Sequence, residues 1–118
     1  MKPLPLIIIL LAGVSTVTFP ARYALLVGNP EAGANYAKLK YVKNDIDELS
    51  EILTGFCGFD ADNVTVMYNK SSEAVLDGLE RLSETLAPLS GEHLFFFYYS
   101  GHADRSYLFT GEKPTALA

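Results

Sequence analysis

A histidine carried on a short turn at the end of a strand can move protons near neutral pH, and His102, in Ser100-Gly101-His102, has that setting. Such an imidazole can take a proton from a nucleophile and return it to a leaving group. Gly101 is predicted to let the backbone turn sharply, so that the ring points into a cleft. Position alone leaves a second reading open, a surface histidine in a polar turn. The other histidine, His93, precedes the same apolar run that ends at His102. At about 3.3 Å per strand residue the two are too far apart to share a metal ion. Cys57 is the single cysteine, so no internal disulfide can form, and no Cys/His cluster has metal-ligand spacing. No metal and no cofactor is predicted.

The element that must position His102 is the run Leu94-Phe95-Phe96-Phe97-Tyr98-Tyr99. It is too short for a helix and has no polar break, which predicts a strand buried on both faces, the usual condition of a parallel sheet under helices. Open α/β sheets bind and react with ligands just beyond the carboxyl ends of such strands. Tyr23 to Val27 predicts an earlier buried strand, stopped by Gly28-Asn29-Pro30, and residues 31–42 read as a loop. A first helix is predicted to start at Asn44 or Asp45, with Asp45 and Glu48 close to a capping box. Its apolar face is Ile46, Leu49, Ile52 and Leu53, and Gly55 is placed to close it in the left-handed conformation. Val64 to Tyr68 is a second strand, and a serine at 71 or 72 caps a second helix striped by Val75, Leu79, Leu82, Leu86 and Leu89. Asp77 and Arg81 are spaced for an i,i+4 ion pair on its wet side. Pro88 and Gly91 end that helix, and Tyr107-Leu108-Phe109 can begin a hairpin or short strand. The order β-α-β-α-β implies a parallel sheet with right-handed crossovers.

Composition narrows the function classes. A chain of 118 residues, 49% hydrophobic and 19% charged, is globular and holds one domain at most. Its net charge of −5 and lack of any basic run argue against nucleic acid as a partner. The turn from Gly28 to Gly33 lacks the second glycine of a dinucleotide fingerprint, no phosphate-loop lysine follows, and Pro30 removes a backbone donor. The first and third strand ends carry none of the acidic residues a phospho-acceptor site requires. Residues 1–21 read as a leader: Lys2, then an apolar stretch from Leu4 to Val14 broken only by Pro5 and Gly13, then small residues from Ser15 to Thr18. The stretch is short for a span of about 20 residues. It predicts export to the periplasm or the extracellular space. Retained uncleaved it would anchor the chain in a membrane, and with a misassigned start the protein would be cytoplasmic.

Three segments together carry a family resemblance: Tyr23 through Asn29, then Asn44-Asp45 with a helix ending Leu53-Thr54-Gly55-Phe56, then Phe96 through His102. Their order and intervals resemble the caspase-like peptidases, which include caspases, metacaspases and bacterial caspase-domain proteins. The likeness runs from about residue 22 to 110, and Tyr99-Ser100-Gly101-His102 is its most specific part. It implies an α/β, caspase-like three-layer fold, a mostly parallel sheet with flanking helices, incomplete at the C-terminus and occupying residues 22–118. It further implies cysteine-type endopeptidase activity on a protein or peptide substrate, through a Cys/His dyad in which His102 is the general base. The backbone N–H of the next residue, Ala103, would then help hold the oxyanion.

Departures from the family pattern accompany the likeness. Ala103 stands where the family usually has glycine, which keeps the N–H but would be strained at positive φ. The family's nucleophile lies downstream of the histidine, typically in an Asp-x-Cys-type motif, whereas Cys57 falls where the family has none and reads as a small half-buried residue packing a helix end. The chain therefore reads as the N-terminal part of a caspase-like domain, inactive alone. The family's acid-binding arginine is missing from Leu39-Lys40-Tyr41-Val42-Lys43, which leaves cleavage after basic residues open. Asp104 could orient a ring or meet a basic substrate, or serve only as a turn residue. A non-catalytic caspase-fold binding or assembly module, and an unrelated α/β binding domain, are the alternatives. Oligomeric state is not legible.

Overall fold

The computed structural model describes residues 20–31 and 35–110, with the backbone alone of 113–116. The predicted leader lies almost wholly outside these residues, as does Gly33 of the first loop. Three parallel strands form the sheet: β1 (Arg22–Asn29), β2 (Val64–Tyr68) and β3 (Leu94–Gly101), in spatial order β2-β1-β3. Helix α1 (Val42–Gly55) and helix α2 (Ser72–Leu86) make the two crossovers. Side chains alternate across a strand, so β1 feeds two cores. Ala24 and Leu26 meet Leu53 and Phe59 at the α1 face, while Leu25 and Val27 meet Val75 at the α2 face. This is the α/β three-layer arrangement, with a parallel sheet flanked by helices.

The buried centre of the sheet is β1, not β3. Ala24 through Val27 are nearly inaccessible to water. Each large aliphatic side chain so buried contributes about 1.5–3 kcal/mol relative to exposure. In β3, by contrast, Leu94, Phe95 and Phe97 remain 51%, 40% and 38% exposed, which corrects the expectation of burial on both faces. The reason is topological. An apolar run reports that a strand has faces to cover, but β3 lies at the edge of the described sheet. Beneath α2, an apolar cleft of about 420 Å³ opens between Leu79, Leu82, Leu86 and Phe95.

Helix α1 begins earlier than predicted. Tyr41 occupies the N-cap position without a side-chain bond, and Val42 is already buried. Asn44 donates to the Glu48 carboxylate at 2.9 Å instead of capping, and Asp45 lies within the first turn, where its charge suits the helix dipole. Packing dictates the earlier start: Val42 and Ile46 lie against Gly28, where an added Cβ would sit 2.8 Å from a carbon of each. At the other end, Gly58 (φ 71°) is the left-handed glycine rather than Gly55, and Ile52 is exposed. In α2 the predicted cap holds, with Ser71 Oγ accepting from Ala74 N at 3.2 Å. Among the described residues the i,i+4 ion pair is Lys43–Asp47 in α1, not Asp77–Arg81. A hairpin follows β3: β4 (Tyr107–Thr110) pairs antiparallel with β5 (Lys113–Ala116).

Candidate active site

Strand register brings the site residues together. Gly28 pairs with Ser100 and Asn29 with Gly101, so His102 emerges one residue beyond the carboxyl ends of two adjacent parallel strands. The ring is half-buried, not immersed among apolar side chains. Its Nε2 lies 2.8 Å from the Ala37 carbonyl oxygen, and its face lies against Tyr36, with centroids 5.1 Å apart and planes tilted by 46°. A carbonyl oxygen only accepts, so Nε2 carries the hydrogen and the lone pair lies on Nδ1. Among the described residues Nδ1 has no partner. Among the described residues the imidazole is thus held at one nitrogen only.

The next peptide unit is also available. Ala103 forms an isolated antiparallel bridge with Leu108, but the bonds that make it belong to neighbours: Phe109 N to His102 O at 2.9 Å and Asp104 N to Tyr107 O at 3.0 Å. In that pattern the N–H of Ala103 points away from the paired strand. Asn69 is the one non-glycine residue with positive φ among those described, so alanine replaces glycine at 103 without backbone strain.

Gly101 is needed for a different reason from the one predicted. Its φ is not positive, and it closes β3 instead of making a sharp turn. A Cβ there would lie 2.8 Å from the Asn29 carbonyl oxygen and would collide with the Tyr99 phenol. Asp104 is a turn residue: its Oδ1 accepts from Ser106 N and Tyr107 N, both at 2.8 Å. Cys57 is exposed, which corrects its reading as a half-buried packing residue. Its carbonyl accepts from Arg22, at the opposite end of β1 from Asn29. Seven strand steps of about 3.3 Å separate those ends by about 23 Å, so Cys57 and His102 cannot exchange a proton.

The roles of four participants are not legible in the sequence, although it places Asn29 and Tyr99 near His102. Tyr36 and the Ala37 carbonyl come from the first loop, and a backbone carbonyl leaves no signature in residue types. Asn29 is 1% exposed and donates from Nδ2 to the Phe109 carbonyl at 2.9 Å. A polar residue closing a buried strand was the available hint. Tyr99 packs its ring beside Leu25, Val27 and Val75 and reaches the site with its hydroxyl. Burial pushes that hydroxyl up to about 12, so it is a neutral donor at ordinary pH. Among the described residues no three His, Cys, Asp or Glu side chains are grouped as metal ligands.

A parallel sheet between two helices, with His102 held at Nε2 just past adjoining strand ends, is an α/β layout whose carboxyl edge is the usual place for ligands. The caspase domain family model matches residues 21–116, and the chain belongs to that family of peptidases. No curated protein matches the chain.

Proposed function

We propose that the chain is the base-bearing part of a caspase-like cysteine endopeptidase. The observation that carries this reading is the half-held imidazole: Nε2–H is engaged by Ala37, while among the described residues Nδ1 has no partner. His102 Nδ1 accepts the proton of an incoming thiol, and the thiolate attacks the scissile carbonyl carbon of a peptide. The resulting oxyanion accepts a hydrogen bond from Ala103 N–H. The imidazolium then gives the proton to the leaving amine, and water releases the acyl group from sulfur with His102 again acting as base. Ala37 stabilises the imidazolium without itself changing protonation.

Cys57 lies at the far end of the sheet, so this reading takes its thiol from a separate cysteine-bearing segment and expects no hydrolysis from residues 22–118 assayed alone. The leader directs export. The missing arginine at 39–43 weighs against cleavage after aspartate and leaves cleavage after basic residues open.

The test reads the gene past Ala118, joins this chain to any cysteine-bearing segment found there, and assays peptides ending in Asp, Arg or Lys. Hydrolysis that needs both a downstream cysteine and His102 is expected. A genuine stop codon after Ala118, or no hydrolysis with the cysteine-bearing protein folded, would leave the non-catalytic assembly module as the better reading.

A further inference from the structure

We propose that Tyr99 is the positioning residue for His102, its hydroxyl fixing the backbone from which the imidazole projects. The proposal rests on the reading of His102 as the base. The hydroxyl lies 2.7 Å from the His102 carbonyl oxygen and 2.5 Å from the Phe109 carbonyl oxygen. A phenol has one proton to donate, shared here between two acceptors. Each acceptor also has a donor of its own, Phe109 N–H for His102 and the Asn29 amide for Phe109. Tyr99 is therefore not required to satisfy either carbonyl. What it adds is a tie from the sheet interior to both sides of the turn.

That tie closes a circuit. The Phe109 ring lies 5.4 Å from the Tyr36 ring, which in turn lies against the His102 ring. Tyr99 thus holds the histidine's main chain directly and the far side of its aromatic stack through Phe109. A phenylalanine at 99 would fill the same space beside Leu25, Val27 and Val75. The hydroxyl is surplus to that core, and a buried hydroxyl costs free energy unless paired. Gly101 is shaped to the same arrangement, because a side chain there would displace the phenol.

The experiment uses the full chain with 15N-labelled histidine. It measures solvent exchange of the His102 Nε2 proton, with the bonded His93 Nε2 proton as a reference for folding. Tyr99→Phe is expected to speed exchange at His102 about tenfold, the factor expected for loss of one hydrogen bond's restraint. Exchange at His93 should be unchanged. An unaltered His102 rate with His93 intact overturns the positioning role.

If Tyr99→Phe loses the His93 proton as well, Asn29→Ala is read in the same way, since it strips a donor from the same carbonyl and keeps the phenol. Failure of both variants to fold overturns the proposal, because the network then holds up the sheet and not the turn. In the cysteine-bearing protein, Tyr99→Phe is expected to lower kcat about tenfold and leave KM unchanged. A wild-type protein without hydrolysis removes the reading of His102 as base. It leaves the exchange result standing, so the two failures are told apart.

Discussion

The two ends of β3 each carry a histidine, and the two differ in what their ring nitrogens have left to do. His93 Nδ1 accepts from Ala21 N at 3.1 Å while Nε2 donates to the Ser90 carbonyl at 2.9 Å. Both nitrogens are spent on joining the start of β1 to the approach to β3. His102 spends one nitrogen on Ala37, and its other nitrogen has no partner among the described residues. General base work by a histidine depends on unused hydrogen-bonding capacity in a held ring, and among the described residues that capacity lies at the carboxyl end of the sheet. The amino end, with Cys57 exposed beside Arg22, has a thiol and an imidazole but no free nitrogen for general base work.

Replacing each histidine by alanine sharpens this contrast most. In the cysteine-bearing protein, His102→Ala should lower kcat/KM by about 10²–10⁴, the usual contribution of a general acid–base group. His93→Ala should leave kcat within about twofold and instead cost about 1–2 kcal/mol of stability, from two lost hydrogen bonds. Kinetics with parallel thermal unfolding read both, and a large kinetic loss at His93 would break the comparison. Gly101→Ala should destabilise by about 1–3 kcal/mol through overpacking against Tyr99 and Asn29, read as a lowered denaturation midpoint. Gly91, at φ 91° in the approach to β3 with nothing near a notional Cβ, should instead respond through backbone strain.

The smallest effect expected is on pH dependence. The Tyr99 hydroxyl is pushed up to about 12 by burial, above the tyrosine value of 10 in the unfolded chain. The unfolded state loses this proton first, so the contribution is complete below pH 10 and is lost as pH rises from about 10 to about 12. The hydroxyl is only partly buried, so the change is modest. Subtracting the Tyr99→Phe profile from the wild-type profile should isolate it, and superimposable profiles above pH 10 would refute it. His93→Ala should leave this alkaline limb unaltered.

Much of the scaffold was legible in the sequence. The strand at Val64–Tyr68 and the Ser71 cap follow from local pattern and local bonding, and both agree with the structure. The start of α1 was misplaced because Asp45 and Glu48 suited a capping box. The contact of Val42 and Ile46 with Gly28 prevailed over that local preference. Gly55, expected to be left-handed, is not, whereas Gly58 is, because residue type alone does not say which glycine takes positive φ. His102 itself is legible because a histidine in a short polar turn after an apolar aromatic run sits where open α/β sheets bind ligands.

Residue order by itself determined the alternation of strands and helices, the parallel sheet and the placement of His102 at a strand end. Periodicity, turn residues and crossover handedness are local or nearly local rules. Tertiary structure alone decided which strand is central, which nitrogen of His102 is engaged, and that Tyr99 and Asn29 meet at the Phe109 carbonyl. Those are contacts between residues 10 to 80 positions apart. They depend on register and on backbone carbonyls, which every residue has and no sequence distinguishes.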